Sequence, residues 1–196
     1  MCGIDPKSDN FMDNLPSLEQ NSLKTYSLND TQNFSLSIGK RVLDSELDIN
    51  GAIPVFSVNV KKAFGFINKE ILQDYSNDCV LWGIDGDFMV GFMPKGKKFY
   101  PTDHCGILSV NEAVLNTKIV SFALEQEGEK REFSRTLRAS IDRIRDLKIT
   151  LPPLEIQNTI AKEVQILEDK IQSFKSLLPL LEKSKSKILG QPLKSS

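Results

Sequence analysis

The stretch LKITLPPLEIQNTIAKEVQILEDKI, from Leu147 to Ile171, constrains the chain more than any other. Ile144, Leu147, Ile149 and Leu151 are apolar at nearly alternate positions, the pattern of a strand with one buried face. Pro152-Pro153 then stops that strand, because proline has no N–H for a ladder and holds the preceding residue extended. Helical spacing begins at once, with Glu155 favourably placed in the first turn. Ile160, Val164, Leu167, Ile171, Phe174, Leu178, Leu181 and Ile188 follow at gaps of 4, 3, 4, 3, 4, 3 and 7. That is a heptad seam, with a positions at 164, 171 and 178 and d positions at 160, 167, 174, 181 and 188. Lys185 takes the next a position, and the flanking residues are mostly Glu, Lys, Gln and Ser. About 35 helical residues extend roughly 50 Å, beyond the cover of one small domain. The seam therefore needs another helix, from this chain or from a second copy. Pro179 removes a backbone bond and crowds the carbonyl of Lys175, which predicts a kink or break near Ser176–Pro179 and a first helix of about 23 residues.

Upstream of the seam the texture is β-rich. Residues 1–33 are rich in Asn, Asp and Ser and read as a loosely ordered lead. FSLSIGKRV alternates from Phe34, and GAIPVFSVNV repeats the pattern after the Asn50-Gly51 turn signal. CVLWGI (79–84) is continuous enough for a buried strand, and DFMVGFM (87–93) follows it across Asp85-Gly86. CGILSV (105–110) is a further strand. NEAVLNTKIVSFALEQEGE places Val114, Leu115, Ile119, Phe122 and Ala123 at helical spacing. The expected fold is α+β: a curled β-rich domain over 34–152, a long helix over 153–190 that forms a coiled-coil or helical-bundle pairing, and a tail over 191–196.

Global charge selects no partner, since 25 basic residues meet 26 acidic ones. The distribution is uneven. Residues 1–60 carry four basic and eight acidic side chains, a local −4. Glu129 to Lys148 carries seven basic and four acidic, a local +3. Cys2, Cys79 and Cys105 are odd in number and widely spaced, with no CxxC pair, which predicts a reduced, cytoplasmic protein. The polar N-terminus MCGIDPKSDN predicts no signal peptide, and no apolar run reaches membrane-span length.

ITLPPLEIQNTIAKEVQILEDKI resembles the junction between a target-recognition domain and the conserved helix in specificity (S) subunits of Type I restriction–modification systems. A similar region occurs in fused Type IIG enzymes. The Leu-Pro-Pro-Leu-Glu-x-Gln core at 151–157 is its most specific piece. IGKRV, GAIPVFSV, FGFIN, VLWGIDGDFMVGFM, KKFYPTDHCGIL and SIDRIRDLKITLPP fit in order, over about residues 34–175. The resemblance implies a non-catalytic subunit of a bacterial or archaeal cytosol. It reads one half of a split DNA target and docks a methyltransferase (M) subunit and, in a complete assembly, a restriction (R) subunit. It implies no cofactor in this chain, because S-adenosylmethionine belongs to the methyltransferase. Whole S subunits have two recognition domains and two helices, and this sequence has one of each. It is therefore a half-length subunit that pairs with a second copy or another S half, or a fragment of something larger. LPSLEQNSL (15–23) weakly echoes LPPLEIQNTI (151–160).

DNA contact requires Lys and Arg on loops held against the duplex. Three groups qualify: Lys61 and Lys62; Lys95, Lys97 and Lys98 with Phe99 and Tyr100; and Lys130, Arg131, Arg135 and Arg138. Ser134, Thr136 and Ser140 add hydrogen-bonding hydroxyls. Helix pairing falls to Ile160, Val164, Leu167, Ile171, Phe174, Leu178 and Leu181. Two rivals stand beside this reading. Asp85 and Asp87 with Lys95 and Lys97 carry the residue types of a metal-dependent nuclease, although Asp85-Gly86-Asp87 is more simply a turn. The seam alone also suits an oligomerisation module without DNA. His104-Cys105 is a poor nucleophilic pair, since neighbours in a strand face opposite ways, and the scattered Cys and His lack zinc-ligand spacing.

Overall fold

A computed structural model of the chain describes residues 22–188, with the side chain of Ile188 excepted. The strands are β1 (Lys24–Ser27), β2 (Phe34–Ile38), β3 (Ile53–Phe56), β4 (Gly65–Ile67), β5 (Cys79–Gly83), β6 (Val90–Met93), β7 (Tyr100–Pro101), β8 (Cys105–Val110) and β9 (Lys148–Leu151). The helices are α1 (Thr117–Lys130), α2 (Ile141–Arg145) and α3 (Leu154–Ile188). The fold is α+β, with small curled sheets followed by a long C-terminal helix. The chain divides into two compact units between Asn158 and Thr159.

In the first unit a four-stranded antiparallel sheet runs β2-β8-β5-β6. Every residue of β5 is buried, as its unbroken apolar run requires of a strand covered on both faces. Cys79, Leu81, Cys105 and Ile107 pack on one face with Val60 and Phe99. Trp82 lies on the other face, directly across from Gly106 of β8. A Cβ on Gly106 would stand 2.1 Å from the indole, so only glycine lets the ring lie flat over β8. The indole N–H reaches out of the core to donate to the Ala139 carbonyl at 2.8 Å. A second sheet, β4-β3-β7, packs Ile53, Val55, Ile67 and Tyr100 together. Helix α1, whose N-cap Asn116 accepts from the Ile119 amide, packs on β5, β6 and β9.

The strand before the two prolines is real but shorter than its apolar pattern. Ile144 lies in α2, and β9 begins at Lys148. Strand β9 pairs antiparallel with β1, and Lys24↔Leu151 is the last rung before Pro152. This corrects the expectation of a loose lead over 1–33: Lys24–Ser27 is a strand, and Leu28 is buried. The rest of that lead (1–21), nearly all of the LPSLEQNSL echo, and the tail (191–196) lie outside the described residues.

The Leu-Pro-Pro-Leu-Glu-x-Gln core has a physical function in this corner. The Pro153 carbonyl accepts from the amides of Ile156 and Gln157 and so opens α3. The Gln157 side chain is wholly buried. Its Oε1 accepts from the Asn116 amide at 2.9 Å, and its Nε2 donates to the Pro152 carbonyl at 2.7 Å. Asn116 Nδ2 donates to Asn158 Oδ1 at 2.9 Å. One glutamine thus ties the first turn of α3 to the start of α1 and to the proline corner.

The second unit consists of α3 from Thr159 on. The helix Leu154–Ile188 runs through Pro179 as one element, so of the kink or break expected there the break does not occur. A mid-helix proline costs roughly 3 kcal/mol. The flanking Leu177, Leu178, Leu180 and Leu181 are strong helix formers that hold the turns on either side. Along the seam, Ile160 and Val164 are half-buried, while Leu167, Ile171, Phe174, Leu178 and Leu181 are exposed. Ile166, Leu177 and Leu180, outside the strict a and d positions, are exposed as well.

Candidate nucleic-acid interface

The segment between α1 and α2 carries Arg131, Arg135 and Arg138 against one acidic residue, Glu132, and its backbone is anchored at Ala139. Ala139, buried in this segment, donates its amide to the Ile84 carbonyl at 2.9 Å and accepts from the Trp82 indole. Ile84 in turn donates its amide to the His104 carbonyl at 3.0 Å. Three neighbours of this network, Asp85, His104 and Arg138, meet through their side chains. Asp85 Oδ1 pairs with Arg138 Nε, and Asp85 Oδ2 accepts from Arg138 Nη2 at 2.9 Å. His104 Nδ1 also meets Asp85 Oδ2. Arg143 of α2 donates to the Arg138 carbonyl at 2.8 Å. Arg143 walls two adjoining grooves, one lined also by Arg131 and Leu137, the other by Arg138, Asp103 and Ser140. Serine and threonine hydroxyls sit beside them, with Ser134 and Thr136 3.2 Å apart.

The lysines lie elsewhere. In the β5–β6 hairpin, Cys79 pairs with Met93 at one end and Trp82 with Val90 at the other. Lys95, Lys97 and Lys98 follow the Met93 end, where the Lys95 amide donates to Asp78. Asp85 and Arg138 stand at the turn end, roughly 10 Å or more away at strand rise. Lys61 pairs with Glu125 of α1 at 2.7 Å, Lys98 with Glu70, and Lys130 with Glu127 at 2.5 Å. The Glu70 carboxylate hydrogen-bonds the Lys98 ammonium and raises its pKa above the ordinary lysine value. Lys62, Lys95, Lys97, Arg131 and Arg135 are exposed and pair with no carboxylate among the described residues. Their charge is free for phosphate.

Residues 21–183 match the family described as the Type I restriction modification DNA specificity domain. The chain belongs to that family. It is 30% identical over 127 residues to a putative type I specificity subunit of Mycoplasma pneumoniae, covering 63% of this chain and 41% of the relative. A second such subunit from that organism is 27% identical over 144 residues, covering 71% of this chain and 38% of the relative. The specificity domain therefore spans about two fifths of the length of these curated relatives. It shares its fold with the crystal structure of a Type-I restriction-modification system S subunit from M. genitalium, with a TM-score of 0.64 and 20% identity over 82% of this chain and 43% of that one. The HsdS subunit from Thermoanaerobacter tengcongensis gives 0.55 and 13% identity, over 79% and 39%.

Within the specificity domain, several residues expected at the site stand elsewhere. Tyr100, expected on DNA, is 1% exposed. Phe99, just before β7, and Tyr100, its first residue, enter different cores: Phe99 joins the Cys79–Ile107 cluster, and Tyr100 the Ile53–Ile67 cluster. The nuclease arrangement does not form, because Lys95 and Lys97 follow one end of the hairpin while Asp85 lies at the other, bound to Arg138. No cluster of His, Cys, Asp or Glu among the described residues is placed to hold a metal ion. Burial pushes the Cys79 and Cys105 thiols up to about 12, which keeps both protonated at neutral pH. His104, by contrast, is exposed and faces Asp85.

Sequence reasoning did not place Asp85, His104 or Arg143 beside Arg138: Asp85 and His104 entered only in the nuclease and nucleophile rivals, and Arg143 was not singled out. Arg143 had a signal, since it lies within the +3 stretch from Glu129 to Lys148. Asp85 and His104 had none, because only the cross-bonded backbone at Ile84 brings them to Arg138. No helix among the described residues is long and apolar enough to cross a membrane.

Proposed function

We propose that the chain is a sequence-specific DNA-recognition subunit of a Type I-like restriction–modification system. It reads one half of a bipartite duplex target and carries out no chemistry itself. A methyltransferase subunit docks with it, binds S-adenosylmethionine and performs the transfer, and a restriction subunit joins the complete cytoplasmic assembly. Two copies pair through α3, so that two recognition domains address the two halves of one target at a spacing set by the helices.

One observation carries this reading. A member of the specificity family combines a β-rich domain bearing exposed loop cations, among them Lys62, Lys95, Lys97, Arg131 and Arg135, with a helix whose heptad seam is exposed from Leu167 to Leu181. The cations suit phosphate, which positions a protein on DNA without reading sequence. The seam suits a second helix.

The test is a duplex-binding series at increasing salt. Lys95→Glu with Lys97→Glu is expected to weaken binding to every sequence alike. It is also expected to flatten the slope of log affinity against log salt by about two. A full chain that binds no duplex at low salt contradicts the reading and leaves a helical oligomerisation module.

A further inference from the structure

The geometry points to Arg138 as a reader of guanine in the major groove, with Asp85 as the positioning residue that holds its guanidinium. This rests on the DNA-recognition reading above and names one base that reading leaves open.

A guanidinium has five N–H donors. Asp85 takes the side edge, Nε and one N–H of Nη2. The end edge, between Nη1 and Nη2, keeps its parallel pair of donors, the fork that matches O6 and N7 of guanine. The grip is rigid at both ends. Asp85 is mostly buried, and it follows Ile84, whose backbone is bonded on both sides to His104 and Ala139. Arg138 precedes the buried Ala139, and its own carbonyl accepts from Arg143 and from the Ser140 amide. The Arg138 side chain is nonetheless half exposed and lines a groove of about 470 Å³ with Asp103, Ser140 and Arg143.

Charge separates a base from a phosphate as the occupant. Phosphate binding draws on uncompensated positive charge. Asp85 compensates Arg138 while also facing His104; of the other charged groups in the groove, Asp103 stands opposite in sign to Arg143, and Asp142 is paired with Arg145. A compensated guanidinium keeps the direction of its donors and loses most of its long-range attraction. That combination suits a neutral pair of acceptors. Lys62, Lys95, Lys97, Arg131 and Arg135 have the opposite character.

The experiment selects bound sequences from a randomised duplex library with the full chain, and compares wild type with Arg138→Ala, Arg138→Lys and Asp85→Asn. Variant folding is checked by thermal unfolding. Wild type is expected to enrich a motif containing guanine. In Arg138→Ala and Arg138→Lys the preference for guanine falls about ten- to hundredfold at one position, with the rest of the motif intact. Asp85→Asn blurs the same position. It also tightens binding to unrelated duplex and steepens the salt slope by about one, because the freed guanidinium now acts as a bare cation. A uniform loss across all positions in Arg138→Ala makes the residue a phosphate contact and overturns the proposal, as does an unchanged motif in all three variants. A wild-type chain that enriches no motif overturns the DNA reading itself.

Discussion

Strand β5 and the middle of α3 are built from the same kind of residue in opposite circumstances. Val80, Leu81 and Trp82 are fully buried, while Leu167, Ile171 and Phe174 expose 52%, 52% and 68% of their surface. The recognition domain closes a core of its own, although scattered residues such as Ile49 and Phe64 stay exposed: β5 is roofed on both faces, and even the Trp82 indole and the Gln157 amide find partners. The helix leaves an apolar stripe of a size that marks an interaction site rather than a finished surface. One unit builds a core from contacts within the chain, and the other leaves its seam exposed for the pairing proposed above.

The largest expected effect falls on the helix. Leu167→Lys with Phe174→Lys removes two seam contacts from each partner of a symmetric pair. It is expected to weaken association by about 5 kcal/mol or more, converting dimer to monomer in light scattering, while the recognition domain keeps its thermal transition. An unchanged mass breaks the comparison at its root. Gly106→Val forces a side chain into the Trp82 ring and is expected to destabilise the recognition domain by about 3 kcal/mol, with indole fluorescence reporting the displaced ring. The pairing of the helix does not depend on that substitution.

Gln157→Leu probes the proline corner of the first unit. It leaves the part-buried Asn116 amide and Pro152 carbonyl without their glutamine partner, at a cost of about 2 kcal/mol in denaturant unfolding. The smallest effect belongs to Glu132, which turns the chain out of α1 with φ of +55°. Glu132→Gly relieves that left-handed strain and is expected to raise stability by about 1 kcal/mol, seen as a modest rise in the melting temperature.

Much of this contrast was legible in the sequence, for identifiable reasons. The seam is regular over several heptads, and a local period survives any tertiary context. CVLWGI and CGILSV are apolar runs bounded by turn residues, and they became β5 and β8. The Asp85-Gly86 turn also formed, with Gly86 at φ of +75°. What stayed hidden is what pairing alone creates. Lys24–Ser27 has no apolar alternation and is a strand because β9 offers it an edge. Helix α2 has five residues, too few to show a period. Tyr100 was misplaced because it follows a lysine-rich loop closely, although Phe99 and Tyr100 each enter a separate core.

The candidate site divides in the same way. Loop cations are visible as residue types, and Lys62, Lys95, Lys97, Arg131 and Arg135 stayed exposed and uncompensated. Which cations are neutralised depends on partners far along the chain. Arg138 and Asp85 are 53 residues apart, and Lys61 and Glu125 are 64 apart. A count of basic residues treats Lys97 and Arg138 alike, whereas the fold leaves one as a free charge and makes the other an oriented pair of donors.

The most direct test of the account is a genome-wide map of methylated sites in cells that express this chain with a Type I methyltransferase subunit it binds. The account predicts one motif made of two inverted copies of the same half-site, separated by a spacer of constant length. Methylation with no motif, or a single half-site with no partner at a fixed distance, contradicts it.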